Sequence, residues 1–315
     1  MNKLDTLTRN YINDNARFAE LFNVFVFKNN LIKPEELYDQ DSSQIQLDID
    51  RSLFSTKYRD NVKLLKYMTN NKINLLLLAI ESQSNVNYAM PVRVMEYDAL
   101  SYNKQVNNLS KKALKDKPNK YQIVNQIPKG TMLIPVITLV IYWSPDKWDG
   151  PRDLFTLLDK QIIDEYGNYL SNYKMNLICP YEMSNKEISK LNTDLFQVLS
   201  YIKNSNDKQK LEEIVYKDDR FKSVSKETAE LIKTVTKSEI TYNNDEEDID
   251  MCKAIEDMRN EAKVEGKAEG CITATVKTAI DFGKTEKEAI EYASNKLNIT
   301  PEEIKRFMDG YQKNI

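Results

Sequence analysis

The chain has 315 residues, of which 41% are apolar, and 45 basic against 48 acidic side chains leave a net charge of −3. This balance gives no general signature of nucleic-acid binding, and the absence of histidine excludes Ser-His-Asp and Cys-His catalysis, histidine-metal nucleases and most catalytic zinc sites. Seven glycines without a GxGxxG or GxxxxGK[ST] motif, and three cysteines without a CxxC pair, argue against nucleotide cofactors, zinc clusters and a disulfide framework.

The first elements predicted are a helix, a hairpin and a second helix. Apolar residues at three- and four-residue spacing predict an amphipathic helix over 14–28. A strand over 60–68, a turn at 69–71 and a continuously apolar strand over 73–80 follow as a hairpin. Residues 88–107 then predict a helix.

The middle of the chain continues the sheet region. Its predicted elements are, in order, a basic loop over 111–120, a strand over 133–143, a helix over 153–163 and a strand over 173–179. Ser184 and Glu187 form a capping-box pattern that predicts the start of another helix.

An acidic stretch over 243–250 predicts a linker or a helix start, and we expect a domain over 1–243 and an all-helical segment over 244–315. Helical patterns there suit oligomerisation or partner binding better than chemistry. Two further capping boxes and two glycines predict where its helices start and stop: Thr285 with Glu288, Thr300 with Glu303, Gly283 and Gly310.

The longest apolar runs, 75–80 and 132–143, are too short to cross a bilayer, which takes about 20 helical residues. The first residues also lack the apolar stretch of a signal peptide. Together with the unpaired cysteines, these features predict a soluble, cytoplasmic protein.

Asp60, Glu81 and Gln83 form the constellation with chemical meaning. Side chains alternate along a strand, so Glu81 and Gln83 share one face, and a carboxylate at the head of the neighbouring strand, that of Asp60, could reach the same pocket. Two carboxylates that leave water positions open suit Mg²⁺. Such an ion generates a hydroxide nucleophile from bound water without histidine, so phosphodiester hydrolysis fits the residues present.

At these positions the chain resembles the PD-(D/E)XK nuclease family transposases, also called recombination-promoting nucleases of the Rpn type. The resemblance covers roughly residues 14–240 and depends on an ordered set of motifs: RFAELFN at 17–23, IKPEEL at 32–37, Arg59-Asp60, ESQ at 81–83, NYAMPVRVMEYDAL at 87–100 and LIPVITLVIYW at 133–143.

The resemblance implies a restriction-endonuclease-like α/β core, with a central mixed sheet flanked by helices, and DNA cleavage that depends on Mg²⁺, for which Mn²⁺ could substitute. Asp60 and Glu81 match the family's metal-binding acids, and Glu20 matches the acidic residue of its first helix. Gln83 takes the place of the usual lysine. A neutral amide can orient and hydrogen-bond, but it does not supply the positive charge of a lysine, so we expect slower cleavage or a greater dependence on the metal.

Three basic residues have both a structural and a DNA-binding interpretation. Arg93 could hold a scissile phosphate, or pair with Glu96 or Glu81, and the pairing is the more common arrangement. Lys111 and Lys112 could contact DNA phosphates, although a lysine run of this kind is usually a solvated loop.

Three functions remain open at the level of sequence. The first is a DNA endonuclease connected with recombination or mobile elements, acting as a homo-oligomer, with a dimer favoured because two nicks on opposite strands need two related sites. The second is a nuclease-derived protein with weak or no activity that binds DNA or protein. A transposase with three carboxylates on a ribonuclease-H-like fold is the third, and the hairpin and the lack of a helix-turn-helix argue against it.

Overall fold

The computed structural model describes residues 3–40, 43–48, 53–115, 123–124, 127–242 and 247–312. The chain divides into a larger unit, Met1–Ser238 with Asp245–Asp250, and a smaller unit, Glu239–Asn244 with Met251–Ile315. The predicted boundary between 243 and 244 lies outside the described residues and stays a prediction.

The larger unit is a mixed α/β structure. Its elements in chain order are α1 (Lys3–Ile12), α2 (Asn15–Leu21), β1 (Leu37–Asp39), β2 (Ser43–Asp48), β3 (Leu53–Tyr58), β4 (Asn61–Thr69), β5 (Lys72–Gln83), α3 (Met90–Lys115), β6 (Ile123–Val124), β7 (Ile127–Pro128), β8 (Val136–Tyr142), α4 (Lys160–Tyr166), β9 (Asn176–Ile178), α5 (Asn185–Ile188), α6 (Leu195–Asn204), α7 (Lys208–Lys217), β10 (Val224–Ser225), α8 (Lys226–Thr236) and β11 (Asp248–Ile249).

Five of these strands form one sheet in the order β1-β4-β5-β8-β9. β1, β4 and β5 pair antiparallel, whereas β5, β8 and β9 pair parallel, so the sheet is mixed. Leu78 and Ile80 of β5 and Val140 and Ile141 of β8 are fully buried, as expected for central strands covered on both faces. The predicted mixed sheet flanked by helices is confirmed at this level.

The β4–β5 hairpin confirms the predicted turn. Asn70 and Asn71 join the strands and both have positive φ, 50° and 59°, a backbone region that asparagine tolerates better than most residues. The strand register that follows places Asn61 opposite Ile80. Asp60, the residue before β4, therefore comes next to Glu81.

Several predicted boundaries are wrong for identifiable reasons. α3 continues to Lys115, so Lys111 and Lys112 lie on an exposed helix and not in a loop; residues 116–120 of the predicted loop lie outside the described residues. The single helix predicted over 153–163 is instead a 3₁₀ turn at Phe155–Leu157 followed by α4, because Asp159 caps a new helix by accepting hydrogen bonds from Gln161 and Ile162.

Other elements follow the sequence closely. α2 continues as a π-helical stretch, Phe22–Phe27, and together they cover the helix predicted over 14–28. The capping box of Ser184 and Glu187 is present, although it starts only the short α5. α1 and the β2–β3 pair were not predicted, although Leu4, Leu7 and Tyr11 of α1 lie at helical spacing.

The smaller unit consists of α9 (Met251–Asp281), α10 (Glu286–Leu297) and α11 (Pro301–Gln312). Its core is formed by Ile272, Val276, Ala279, Ala289, Ile290, Ala293 and Ile304. Both predicted capping boxes and the stop after α9, at Gly283 with φ 86°, are confirmed. Gly310 does not end a helix, because α11 runs through it to Gln312. Among the described residues, none of the helices has the length and apolar character that crossing a membrane requires.

Candidate functional site

The end of β5 and the start of β4 meet at one edge of the central sheet, and this is where the predicted acids lie. The Asp60 carboxylate accepts a hydrogen bond through Oδ2 from the backbone N–H of Ser82, at 2.7 Å. Ser82 stands between Glu81 and Gln83 on β5. The structure therefore brings Asp60, Glu81 and Gln83 to the same edge of the sheet.

Glu81 is fully buried between two arginines. Its Oε1 accepts a hydrogen bond from Nε of Arg59 at 3.3 Å, and Nη2 of Arg93 lies 3.5 Å from its Oε2. Oε2 is buried and accepts no hydrogen bond from any described residue. One oxygen of this carboxylate is thus engaged, while the other has only the nearby charge of Arg93.

Arg59 is itself fully buried and divides its charge between two acids. Its Nη2 lies 3.1 Å from Oδ1 of Asp98 on α3, opposite the contact of its Nε with Glu81. It also donates hydrogen bonds to the hydroxyls of Ser101 and Thr138. The guanidinium is therefore held rigidly and is shared by Glu81 and Asp98.

Asp98 completes this buried network. It accepts hydrogen bonds from the hydroxyl of Thr138 on β8, at 2.5 Å, and from that of Tyr173. Sequence reasoning did not single out Arg59 or Asp98 as site residues. A signal was present, however, because Asp98 lies four residues after Val94 and so places an acid on the buried face of α3.

Burial raises the pKa of both candidate acids. It raises the pKa of Glu81 to about 7, with the charge of Asp60 adding to the rise, while Arg59 and Arg93 oppose it. Burial also raises the pKa of Asp60, against the opposing effects of the Ser82 N–H, Arg93 and Arg9. Two carboxylates that are both desolvated and close enough to repel each other would be stabilised by a bound cation.

An open cavity of about 740 Å³ lies against Asp60, whereas Glu81 is fully buried and is not among the residues that line it. Asp60, Gln83 and Arg93 line it, and the Arg93 side chain is 36% exposed. The other residues that line it are Asp5, Arg9, Arg59, Ser82, Ser84, Asn85, Val86, Asn87 and Tyr88. Asp5 and Arg9 come from α1, which the sequence did not predict.

Glu20 lies elsewhere in the fold. Its carboxylate accepts hydrogen bonds from the backbone N–H groups of Asn192 and Thr193, at 2.5 and 3.1 Å, and from the Thr193 hydroxyl, also at 2.5 Å. It is not among the residues that line the cavity. These bonds fasten α2 to the turn before α6, and this is a structural role.

Lys111 and Lys112 also lie apart from the cavity. Arg93 is near the start of α3 and the two lysines are near its end, so about 27 Å of helix separates them at the usual rise per residue. They could contact only a distant part of a long DNA.

The carboxylate of Asp60 at the cavity, together with that of Glu81 buried beside it, is the donor set available to a hard divalent cation. The described residues contain no group of three or more histidine, cysteine, aspartate or glutamate side chains that could hold a metal, but Mg²⁺ commonly takes one or two carboxylates and keeps several waters. Oε2 of Glu81, buried without a donor, and the carboxylate of Asp60 match this requirement. The ion pair of Glu81 with Arg59 acts against it by supplying positive charge already.

Comparisons of the chain with models of known protein families, with curated proteins and with solved structures gave no match in any of the three.

Proposed function

We propose that this protein is a metal-dependent DNA endonuclease that hydrolyses phosphodiester bonds at the cavity lined by Asp60, with Glu81 buried at the adjacent end of β5. A role in DNA recombination or in mobile elements follows from the resemblance of the sequence to the PD-(D/E)XK nuclease family transposases. The restriction-endonuclease-like identity of the core is part of the same proposal.

The observation that supports it best is the pairing of Asp60 with Glu81. Burial is the main cause that raises the pKa of each carboxyl, and the charge of Asp60 raises the pKa of Glu81 further. A protein that needed this region only for stability would gain more from apolar side chains there, since buried charges are costly without full compensation.

Each residue has a role in the proposed reaction. Asp60 and Glu81 would hold Mg²⁺, which when bound polarises a phosphoryl oxygen and lowers the pKa of bound water. Arg93, partly exposed in the cavity, would hold a phosphate oxygen and stabilise the charge that develops there. Gln83 would orient water through its side-chain amide. The hydrogen bond that its Nε2 donates to the Ser82 carbonyl, at 2.8 Å, holds this amide in place.

The experiment that tests this function is the nicking of supercoiled plasmid with Mg²⁺, Mn²⁺, Ca²⁺ or a chelator. The variants Asp60→Asn and Glu81→Gln keep the shape of each side chain and remove its charge. The matched controls are Asp164→Asn and Glu35→Gln, at exposed positions that do not line the cavity. We expect nicking with Mg²⁺ or Mn²⁺. The nicking rate should fall about a hundredfold or more in each of the two site variants and should not fall in the two controls.

The ion pair between Arg59 and Glu81 favours a second candidate, a nuclease-fold protein that binds DNA or protein without cleaving it. In that case Arg59 takes the place of a metal as the counter-charge of Glu81. Absence of nicking with every cation, from protein whose unfolding is cooperative, would favour this candidate over the endonuclease.

A further inference from the structure

A second cavity, of about 360 Å³, lies next to the first in the larger unit. The two share Arg9 and Asp60 among the residues that line them. The two cavities therefore adjoin at Asp60. A substrate that occupies both would be chain-like, since it would have to extend past this carboxylate.

Side-chain amides dominate the walls of this second cavity. Those that line it are Asn10, Asn13, Gln40 and Asn61, with Thr6, Arg9, Asp39, Asp60 and Val62 completing the wall. Each amide has a donor and an acceptor side by side, the pattern that matches the edge of a nucleobase.

Asn61 provides an independent sign that a ligand belongs here. Its side chain is only 3% exposed, and its Nδ2 donates to the Arg9 carbonyl at 3.1 Å and to Oδ1 of Asn13 at 3.3 Å. Its Oδ1 is buried and accepts no hydrogen bond from a described residue. The wall of the cavity therefore contains a hydrogen-bond acceptor, Oδ1 of Asn61, to which no described residue donates.

We propose that the second cavity binds the base of an unpaired nucleotide next to the phosphate at Asp60, and that it favours bases with an exocyclic amino group. This inference rests on the proposed function, because the phosphate would be placed by Arg93 and by the cation that Asp60 would hold. A base stacked and paired in a duplex cannot enter such a cavity, so the preferred substrate is a single strand or an unpaired segment. Asn61 and Gln40 both donate their side-chain N–H groups to protein oxygens. Their amide oxygens remain as the acceptors in the wall, which favours the amino group of cytosine over the carbonyl of thymine.

The test is fluorescence anisotropy with the full chain in Ca²⁺, using labelled dodecamers of deoxycytidine, of deoxythymidine and of a mixed-sequence duplex. We expect the deoxycytidine strand to bind at least about fivefold more tightly than either of the others, the lower end of what one bidentate base contact contributes. The double variant Asn10→Ala with Gln40→Ala should lose that preference. Both positions are exposed, so the fold is retained, and Asn168→Ala is the matched exposed control.

Equal or tighter binding of the duplex, an unchanged preference in the double variant, or no binding of any of the three DNAs overturns the inference. Its failure is distinguishable from failure of the endonuclease proposal. If the protein nicks plasmid and the double variant keeps the base preference of the wild type, only the base site is ruled out. If the double variant abolishes the base preference but the protein does not nick DNA, the base site is supported and the endonuclease activity is ruled out.

Discussion

Arg59 contacts two carboxylates at once, and this sharing determines how much negative charge remains at Glu81. The guanidinium is fully buried, and an arginine does not lose its proton in a protein. One positive charge therefore serves both Glu81 and Asp98. Because Asp98 shares this guanidinium, Arg59 compensates the charge of Glu81 only in part.

This arrangement predicts that Asp98→Asn weakens cation binding although Asp98 does not line the cavity. With Asp98 neutral, Arg59 neutralises Glu81 more fully, and we expect the affinity for Mn²⁺ to fall about tenfold, equivalent to about 1.4 kcal/mol. A titration of Mn²⁺ followed by electron paramagnetic resonance measures the affinity. Unchanged affinity in a folded Asp98→Asn protein, with Asp164→Asn as the control, would show that the shared arginine has no such effect.

The raised pKa of Glu81 predicts an unusual dependence of stability on pH. Burial moves this pKa from its ordinary value of 4.5 to about 7, so between these values the folded state binds a proton that the unfolded state has lost. The resulting stabilisation is full below pH 4.5 and disappears as the pH rises through 7, a loss of about 3 kcal/mol.

Urea unfolding at pH 5 and pH 8, in the presence of a chelator, measures this loss. Glu81→Gln cannot titrate, so its free energy of unfolding should fall less than that of the wild type over the same range. Asp60, whose pKa is also raised, contributes to the pH dependence of both proteins, and its coupling to Glu81 is part of the measured difference. Parallel curves for the two proteins would mean that Glu81 is ionised throughout.

At the scale of elements, the β4–β5 hairpin sets the geometry of the site. Asn70 and Asn71 fix the turn, the turn fixes the register, and the register brings Asp60 beside Glu81. A shift of one residue would turn every side chain of a strand to the other face. The turn thus affects the site from the far end of the hairpin.

We predict that Asn71→Val destabilises the larger unit by about 1–2 kcal/mol, because a β-branched residue is strained at positive φ. Asn71→Gly is the matched variant, since glycine adopts this conformation freely, and it should change the stability by less than about 0.5 kcal/mol. Urea unfolding distinguishes the two. Equal stabilities would indicate that the turn does not hold residue 71 in the left-handed region.

The hairpin also shows which parts of the molecule sequence could predict. The turn, the apolar β5 and the capping boxes have local causes that are visible in a few neighbouring residues, and the structure confirms them. The environment of Glu81 has no such local cause, since Arg59, Asp98 and Thr138 come from three different segments. Glu20 was assigned by resemblance alone, and only its contacts with Asn192 and Thr193 revealed what it holds.

At the scale of the whole molecule, the larger unit includes a late segment of the chain, which pairs with an earlier strand. β11 pairs with β10, and Ile249 and Val224, which face each other in that pairing, are both 1% exposed. Ser223 also donates a hydrogen bond to Asp248 at 2.9 Å. The larger unit therefore needs residues that follow the predicted boundary at 243.

We predict that a chain ending at Asp250 is more stable, by about 2–3 kcal/mol, than a chain ending at residue 243. The difference corresponds to the burial of Ile249, which only the longer chain retains. Free energies of unfolding in urea compare the two chains. If they are equal, the β10–β11 pair contributes nothing to the stability of the larger unit.

The central claim is that Asp60 and Glu81 together bind one divalent cation. The most direct measurement is a Mn²⁺ titration of the wild type, Asp60→Asn and Glu81→Gln, followed by electron paramagnetic resonance of the free ion at pH 8, where Glu81 is ionised. We expect one site in the wild type and an affinity at least about tenfold weaker in each variant. The same affinity in all three proteins would contradict it, because the two carboxylates would then not be ligands.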